Sequence, residues 1–248
     1  MLVDAGNAGS PLHRITLLSN IITSLRSSWP VGAVATAPRS YWHSTMRTPT
    51  EKGILADYFS TLNYIHTNWP ELPVILYGHS LGATAAVKLL STLDDTHDKL
   101  GKSIKGLILE NPFTSTADMV RALYPDKWVP YRYLTPFVFD KWDALNAMEN
   151  ARASSVLFRI AKSMLVLTSE KDEIVPPEMG EKLYRSALKI PRVESQDAGG
   201  FEPAKLMVIR GALHENAWNT RQWQIEIRDY INKICSAVGF SIRKMIDS

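Results

Sequence analysis

The stretch "LPVILYGHSLGATAAVKLL", Leu72–Leu90, decides how this 248-residue chain is read. An apolar run leads into Gly78-His79-Ser80-Leu81-Gly82, and a small-residue helical pattern follows. Three fixed positions of the type G-x-S-x-G arise by chance in about one chain of this length in ten. The motif alone therefore says little, and its flanks say more. A nucleophilic serine of this kind sits on a strained turn from a buried strand into a helix. "PVILY" and "LGATAAVKLL" supply the two halves. Gly78 and Gly82 avoid side-chain clashes where the backbone reverses. Ala83, Thr84, Ala85 and Ala86 are small enough for the helix to lie close on a sheet. The helix N-terminus also favours negative charge developing nearby.

Moving outward, apolar runs alternate with helical patterns. Strands are expected at Val31–Thr36 (weakly), Leu72–Tyr77, Ile104–Leu109, Met164–Thr168 and Lys205–Ile209. Continuous apolar runs suit a sheet covered on both faces. Helices are expected at Pro11–Ser28, Thr50–Asn68, Leu81–Leu93, Pro176–Leu188 and Asn216–Ala237. This order predicts an α/β protein, a mostly parallel doubly wound sheet in a single domain over residues 1–248. An aromatic-rich, cap-like excursion at about 113–162 interrupts the rhythm, and "KIPRVESQDAGGF" reads as an exposed loop before the last strand.

A serine hydroxyl is a poor nucleophile unless a base takes its proton. On such a sheet the expected chain order is serine, acid, histidine. Of six histidines, His13, His43 and His66 precede Ser80, and His97 falls in a polar loop. His79 lies in the turn itself, its side chain expected to point away from the reaction. His214, in "LMVIRGALHENAW", follows the last strand, where an open α/β sheet places its site. The acid is sought after the preceding strand, in "SMLVLTSEKDEIVPP". Asp172 is the candidate that could hold His214 in the right tautomer, while Glu170 and Glu173 read as solvated or helix-start acids.

"YGHSLGA", "GLILENPFTS", "KDEIVPP" and "GALHENAW" together resemble the α/β-hydrolase superfamily, and within it the fungal bud-emergence-type hydrolases and their animal relatives. The resemblance runs from about Asn7 to Gly239. It implies a serine hydrolase of esters or thioesters, acting through an acyl-enzyme on a small molecule or an acylated protein. Ser80 would attack, His214 would act as base and Asp172 would orient it. It also implies an oxyanion hole from the backbone amides of Leu81 and Asn7, the latter in Ala5-Gly6-Asn7-Ala8-Gly9. Phe113, Trp128 and Phe137 become acyl-binding candidates. No metal or organic cofactor is implied.

Two departures from that family are visible. Relatives carry a membrane-anchoring segment and two to three strands before this point, so N-terminal strands are expected to be missing from the sheet. Where relatives read Arg-Gly-Tyr-Gly-x-Ser, this chain has Arg39-Ser40-Tyr41-Trp42-His43-Ser44. If those glycines hold positive φ, serine and tryptophan there are strained. A non-catalytic protein without an assembled oxyanion hole, and a serine peptidase, stay open as alternative readings.

The bulk numbers set the remaining limits. A formal charge of +3 with scattered Lys and Arg gives no case for nucleic acid. One cysteine, Cys235, excludes an intrachain disulfide and is expected to be packed. "ITLLSNIITSL" is too short to span a bilayer and reads as an amphipathic helix.

Overall fold

The computed structural model describes residues 2–5, 11–25, 28–95, 99–124, 126, 139–191 and 203–239. Six strands form one open sheet: β1 (Leu2–Ala5), β2 (Ala33–Ala35), β3 (Val74–His79), β4 (Ile104–Glu110), β5 (Leu165–Ser169) and β6 (Lys205–Ile209). Their order is β2-β1-β3-β4-β5-β6, and each neighbouring pair is parallel. The expected strands are all present, with β2 the shortest at three residues.

The alternation of side chains along the strands divides the core in two. Val74, Leu76, Leu107, Leu109 and Val166 join one apolar cluster. Ile75, Tyr77, Ile108, Leu165 and Leu167 join the other. The first is covered by α2 (Glu51–Asn68), α3 (Leu81–Thr92), α6 (Ala144–Glu149), α7 (Val156–Ile160) and α8 (Pro177–Lys189). The second is covered by α1 (Ile15–Leu25) and α9 (Arg221–Ala237). Successive strand residues point to opposite faces, so apolar runs are what two-sided burial demands. The amphipathic reading of Ile15–Leu25 holds: Leu17, Leu18, Ile21 and Leu25 are buried. Cys235 is buried in the same layer.

Helix starts follow local chemistry. Thr50 caps α2 by accepting from the Gly53 amide, and Thr220 caps α9 by accepting from Trp223. In the excursion, Ser115 caps α5 (Thr116–Leu123) and Ser155 caps α7. Those short helices and α4 (Lys99–Ser103) were not expected from periodicity, being only five to eight residues long. The chain leaves β1 toward β2 on one side and later departs β3 toward β4 on the other. That reversal makes the crevice at the carboxyl ends of β1 and β3 the expected place for a ligand.

The strain anticipated at residues 39–44 is present. Ser40 has φ 66° and Trp42 has φ 50°. The segment is held by Arg39, whose backbone N–H and Nε donate to Asp57 Oδ2 at 2.8 and 2.9 Å and whose Nη2 donates to Oδ1 at 2.8 Å. These bonds hold the Asp57 carboxyl below its ordinary range. Strained residues persist when their surroundings over-determine them. A left-handed non-glycine residue costs about 1–2 kcal/mol, and glycine returns about 0.5–1 kcal/mol of that as backbone entropy. Trp42 is half exposed, so little packing offsets the strain. Trp42→Gly is expected to stabilise the fold by roughly 0.5–1 kcal/mol in urea unfolding; a loss of stability would show that the indole contributes more than its backbone costs.

Candidate active site

Ser80 occupies the single residue between β3 and α3, with φ 54° and ψ −117°. Its N–H donates to the Glu110 carbonyl at 2.8 Å, which fastens the turn to β4. The need for glycine at position 78 is steric. A Cβ there would sit 2.5 Å from Ala83 Cα and 2.6 Å from both Ala83 N and Gly82 O, all of them backbone atoms. The small residues Ala83, Thr84, Ala85 and Ala86 are buried, as a helix lying close on the sheet requires. Thr84 Oγ1 donates to the Phe113 carbonyl at 2.9 Å, tying α3 to the loop after β4. Leu81 is the first helical residue, so its N–H has no intrahelical partner.

Asp172 and His214 meet. Nδ1 of His214 lies 2.8 Å from Asp172 Oδ2 and 3.0 Å from Oδ1. Both side chains are only 1% exposed. Asp172 is held in turn by the N–H groups of Ile174 and Val175, which donate to its Oδ1 at 2.9 and 2.7 Å. With Nδ1–H donated to the carboxylate, Nε2 carries the free lone pair of a neutral ring. No hydrogen bond joins Ser80 Oγ to His214 Nε2 among the described residues; such contacts are often long in free enzymes and tighten with substrate.

Around this pair is a set of groups that the sequence did not reveal. Glu173 accepts the His214 N–H at 3.0 Å, and Glu170 accepts the Gly211 N–H at 2.7 Å. Both acids are exposed, as expected, and each also holds a backbone N–H of the histidine loop. The His214 carbonyl accepts from Asn111 Nδ2 at 3.0 Å and from His79 Nε2 at 2.8 Å. Asn111 has φ 47°, and it also donates to Ser169 Oγ at 3.0 Å and accepts from the Ser169 N–H at 2.8 Å. Asparagine is among the few residues that tolerate this backbone region, which was the available signal in "ENPFTS". Its neighbour Glu110 is buried and accepts from Tyr77 Oη at 2.5 Å and Trp223 Nε1 at 2.8 Å. Burial pushes the Glu110 carboxyl above its ordinary value, and these two donors work against that rise.

His79 is fully buried, and it points at the histidine loop rather than away from everything functional. Arg14 Nη2 donates to its Nδ1 at 2.8 Å. A guanidinium has no acceptor, so Nδ1 is unprotonated and the proton sits on Nε2. The rings of His79 and His214 are 4.7 Å apart. His79, His214 and Glu215 bring ligand atoms within 4.8 Å of one another. Both nitrogens of His79 are engaged in hydrogen bonds and a guanidinium lies against one of them, a donor set that suits a proton-ordered network better than a cation.

Of the other sequence candidates, Phe113 is buried in the cluster that contains Trp142 and Met179. Asn7, Trp128 and Phe137 lie outside the described residues.

Comparison with known proteins bears on the family and the fold. Residues 43–139 match the sequence model of the family described as "Serine aminopeptidase, S33". The chain is 32% identical over 182 residues to the lysophosphatidylserine lipase ABHD12 of Danio rerio, covering 72% of this chain and 44% of that protein. It is 29% identical over 173 residues to protein bem46 of Schizosaccharomyces pombe, covering 69% and 50%. The matched region thus spans about half the length of these relatives or less. Among solved structures, an esterase of Pyrococcus furiosus superposes with a TM-score of 0.64 at 16% identity, covering 94% of this chain and 82% of the other. A monoacylglycerol lipase of Paleococcus ferrophilus gives 0.57 at 16% identity, covering 95% and 94%. A serine at a strand-to-helix turn, an open parallel sheet and these sequence relatives lead to one conclusion: the chain belongs to the α/β-hydrolase superfamily, beside its bud-emergence-type members.

Proposed function

We propose that the chain is a serine hydrolase of carboxylic esters, with single-chain lipid esters as its substrate class. The observation that carries this reading is the buried Asp172–His214 pair, built at the same end of the sheet as the strained Ser80 turn. Ser80 Oγ attacks the ester carbonyl while His214 Nε2 takes its proton. The oxyanion that forms is met by the Leu81 N–H at the start of α3, to which the family resemblance would add the Asn7 amide. As the tetrahedral species collapses, the ester C–O bond breaks, and His214 returns the proton to the departing alcohol. Water then repeats the sequence on the acyl-enzyme and releases the acid. Each well-placed oxyanion donor contributes on the order of 10²–10³ in rate.

The lipid part of the reading rests on two supports. Two relatives bear the names of a lysophosphatidylserine lipase and a monoacylglycerol lipase. Ile174 and Leu213, flanking the acid and the base, are each 43% exposed and offer apolar surface beside the site. The same chemistry would serve a thioester or an acylated protein, but nothing at the site favours sulfur over oxygen. A peptidase binding a free amino terminus would want an acidic pair placed for that amine; Glu170 and Glu173 are instead turned to the backbone N–H groups of Gly211 and His214.

The test is fatty-acid release from oleoyl lysophosphatidylserine and monooleoylglycerol by the full chain, with a fluorophosphonate probe alongside. Release from at least one lipid, together with covalent labelling, is expected. Folded protein that neither labels nor hydrolyses would support the non-catalytic alternative instead.

A further inference from the structure

Beside the Ser80, Asp172 and His214 set, Arg14 and His79 form a second buried polar cluster. His79 immediately precedes the serine, yet its ring is wholly buried and directed at the loop that carries His214. Arg14 ends a single 3₁₀ turn, Pro11–Arg14, that precedes α1. It is 7% exposed, donates to His79 Nδ1 at 2.8 Å and lies 3.6 Å from the carboxylate of Glu215, the residue after His214. The groups thus form a closed ring. One side is the Ser80 turn, the second is the histidine loop, and the third is the turn before α1.

The chemistry of this ring is directional. The guanidinium can only donate, so it fixes the imidazole in the Nε2–H form. That form is the one able to donate to the His214 carbonyl. Burial, Arg14 and His214 all push the His79 ring well below its ordinary pKa, which keeps it neutral. A charged ring would carry protons on both nitrogens and lose Arg14 as a donor. We propose that His79, held in one tautomer by Arg14, is a positioning residue that sets the register between Ser80 and the His214 ring. This rests on the serine-hydrolase reading given above.

Geometry explains why such a strut would matter. The His214 ring is already fixed by Asp172, and its backbone N–H by Glu173. On the carbonyl side the anchors are Asn111, which ties the loop to β5 through Ser169, and His79. Among the described residues, only His79 connects the loop to the serine turn itself. A displacement of about 1 Å between reacting groups can cost on the order of 10² in rate.

The experiment compares His79→Gln, His79→Leu and Arg14→Met with the unaltered full chain. Glutamine places its Nε2–H where the imidazole had one; leucine fills the space without a donor. His79→Leu should lower kcat on a soluble ester by about 10²-fold with KM little changed, and His79→Gln should recover most of that loss. Arg14→Met should fall between them. Hydrogen exchange of the peptide spanning residues 210–216 should quicken in His79→Leu while the α9 peptide stays as protected as before. If leucine matches or exceeds glutamine in kcat, or if exchange at 210–216 is unmoved, His79 is only a packing residue and the proposal fails. The exchange measurement needs no turnover. A chain that is inert in every form but shows the exchange change would refute the hydrolase reading and leave the strut standing.

Discussion

Ser80→Ala is expected to lower the turnover of a short p-nitrophenyl ester by on the order of 10⁴–10⁶-fold and to abolish fluorophosphonate labelling, with the fold intact. The loss is large because the remaining parts have nothing to activate. In the proposed mechanism the His214 base and the Leu81 amide both act on a covalent step that needs the Ser80 oxygen. The fold should survive for a local reason. The Ser80 side chain makes no cap hydrogen bond to α3, although the residue stands at the helix N-cap. Its structural bond comes from the backbone N–H, which alanine retains. Alanine meets the same positive φ as serine, so the strain of the turn is unchanged. Circular dichroism and urea unfolding of the variant should therefore overlay those of the parent. Undiminished turnover in Ser80→Ala would refute the assignment of the nucleophile.

How much of this was legible in the sequence follows from range. The Ser80 turn is a local pattern, a strand, five motif residues and a small-residue helix, and the structure forms it within two residues of the boundaries read. Asp172 and His214 were reachable because each follows a strand's carboxyl end and the chain order is constrained. The supporting bonds were not reachable. Arg14 to His79 spans 65 positions, Asn111 to the His214 carbonyl spans 103, and His79 to the same carbonyl spans 135. No periodicity encodes such pairs, and an arginine in an apolar helix start looks like any solvated charge. Glu110 was hidden for the same reason: an acid at a strand end gives no sign that Tyr77 and Trp223 will enclose it. Ser40 and Trp42 show the reverse case. There the resemblance supplied a backbone expectation, positive φ, that side-chain preference alone would have denied.

Asp172→Asn is the second large effect, expected to lower kcat by about 10⁴-fold with a nearly unchanged structure. The loss depends on which atom of the new amide faces which partner. In the parent, Oδ1 accepts from the backbone N–H groups of Ile174 and Val175, and both oxygens face His214 Nδ1. The two backbone donors demand an oxygen, so the asparagine carbonyl must take the Oδ1 place. Its NH₂ group then meets His214 Nδ1 in the place of Oδ2. An NH₂ cannot accept, so Nδ1 must surrender its proton and become the acceptor, moving the ring proton to Nε2. In the proposed mechanism Nε2 receives the Ser80 proton, and in this tautomer it cannot. The opposite amide orientation would set NH₂ against two backbone donors in a site that is 1% exposed, which costs more. Glu173→Gln serves as the comparison, since Glu173 binds the His214 backbone rather than its ring; it should cost far less than Asp172→Asn. An equal loss in both variants would mean that Asp172 acts through the loop's position and not through the tautomer of His214.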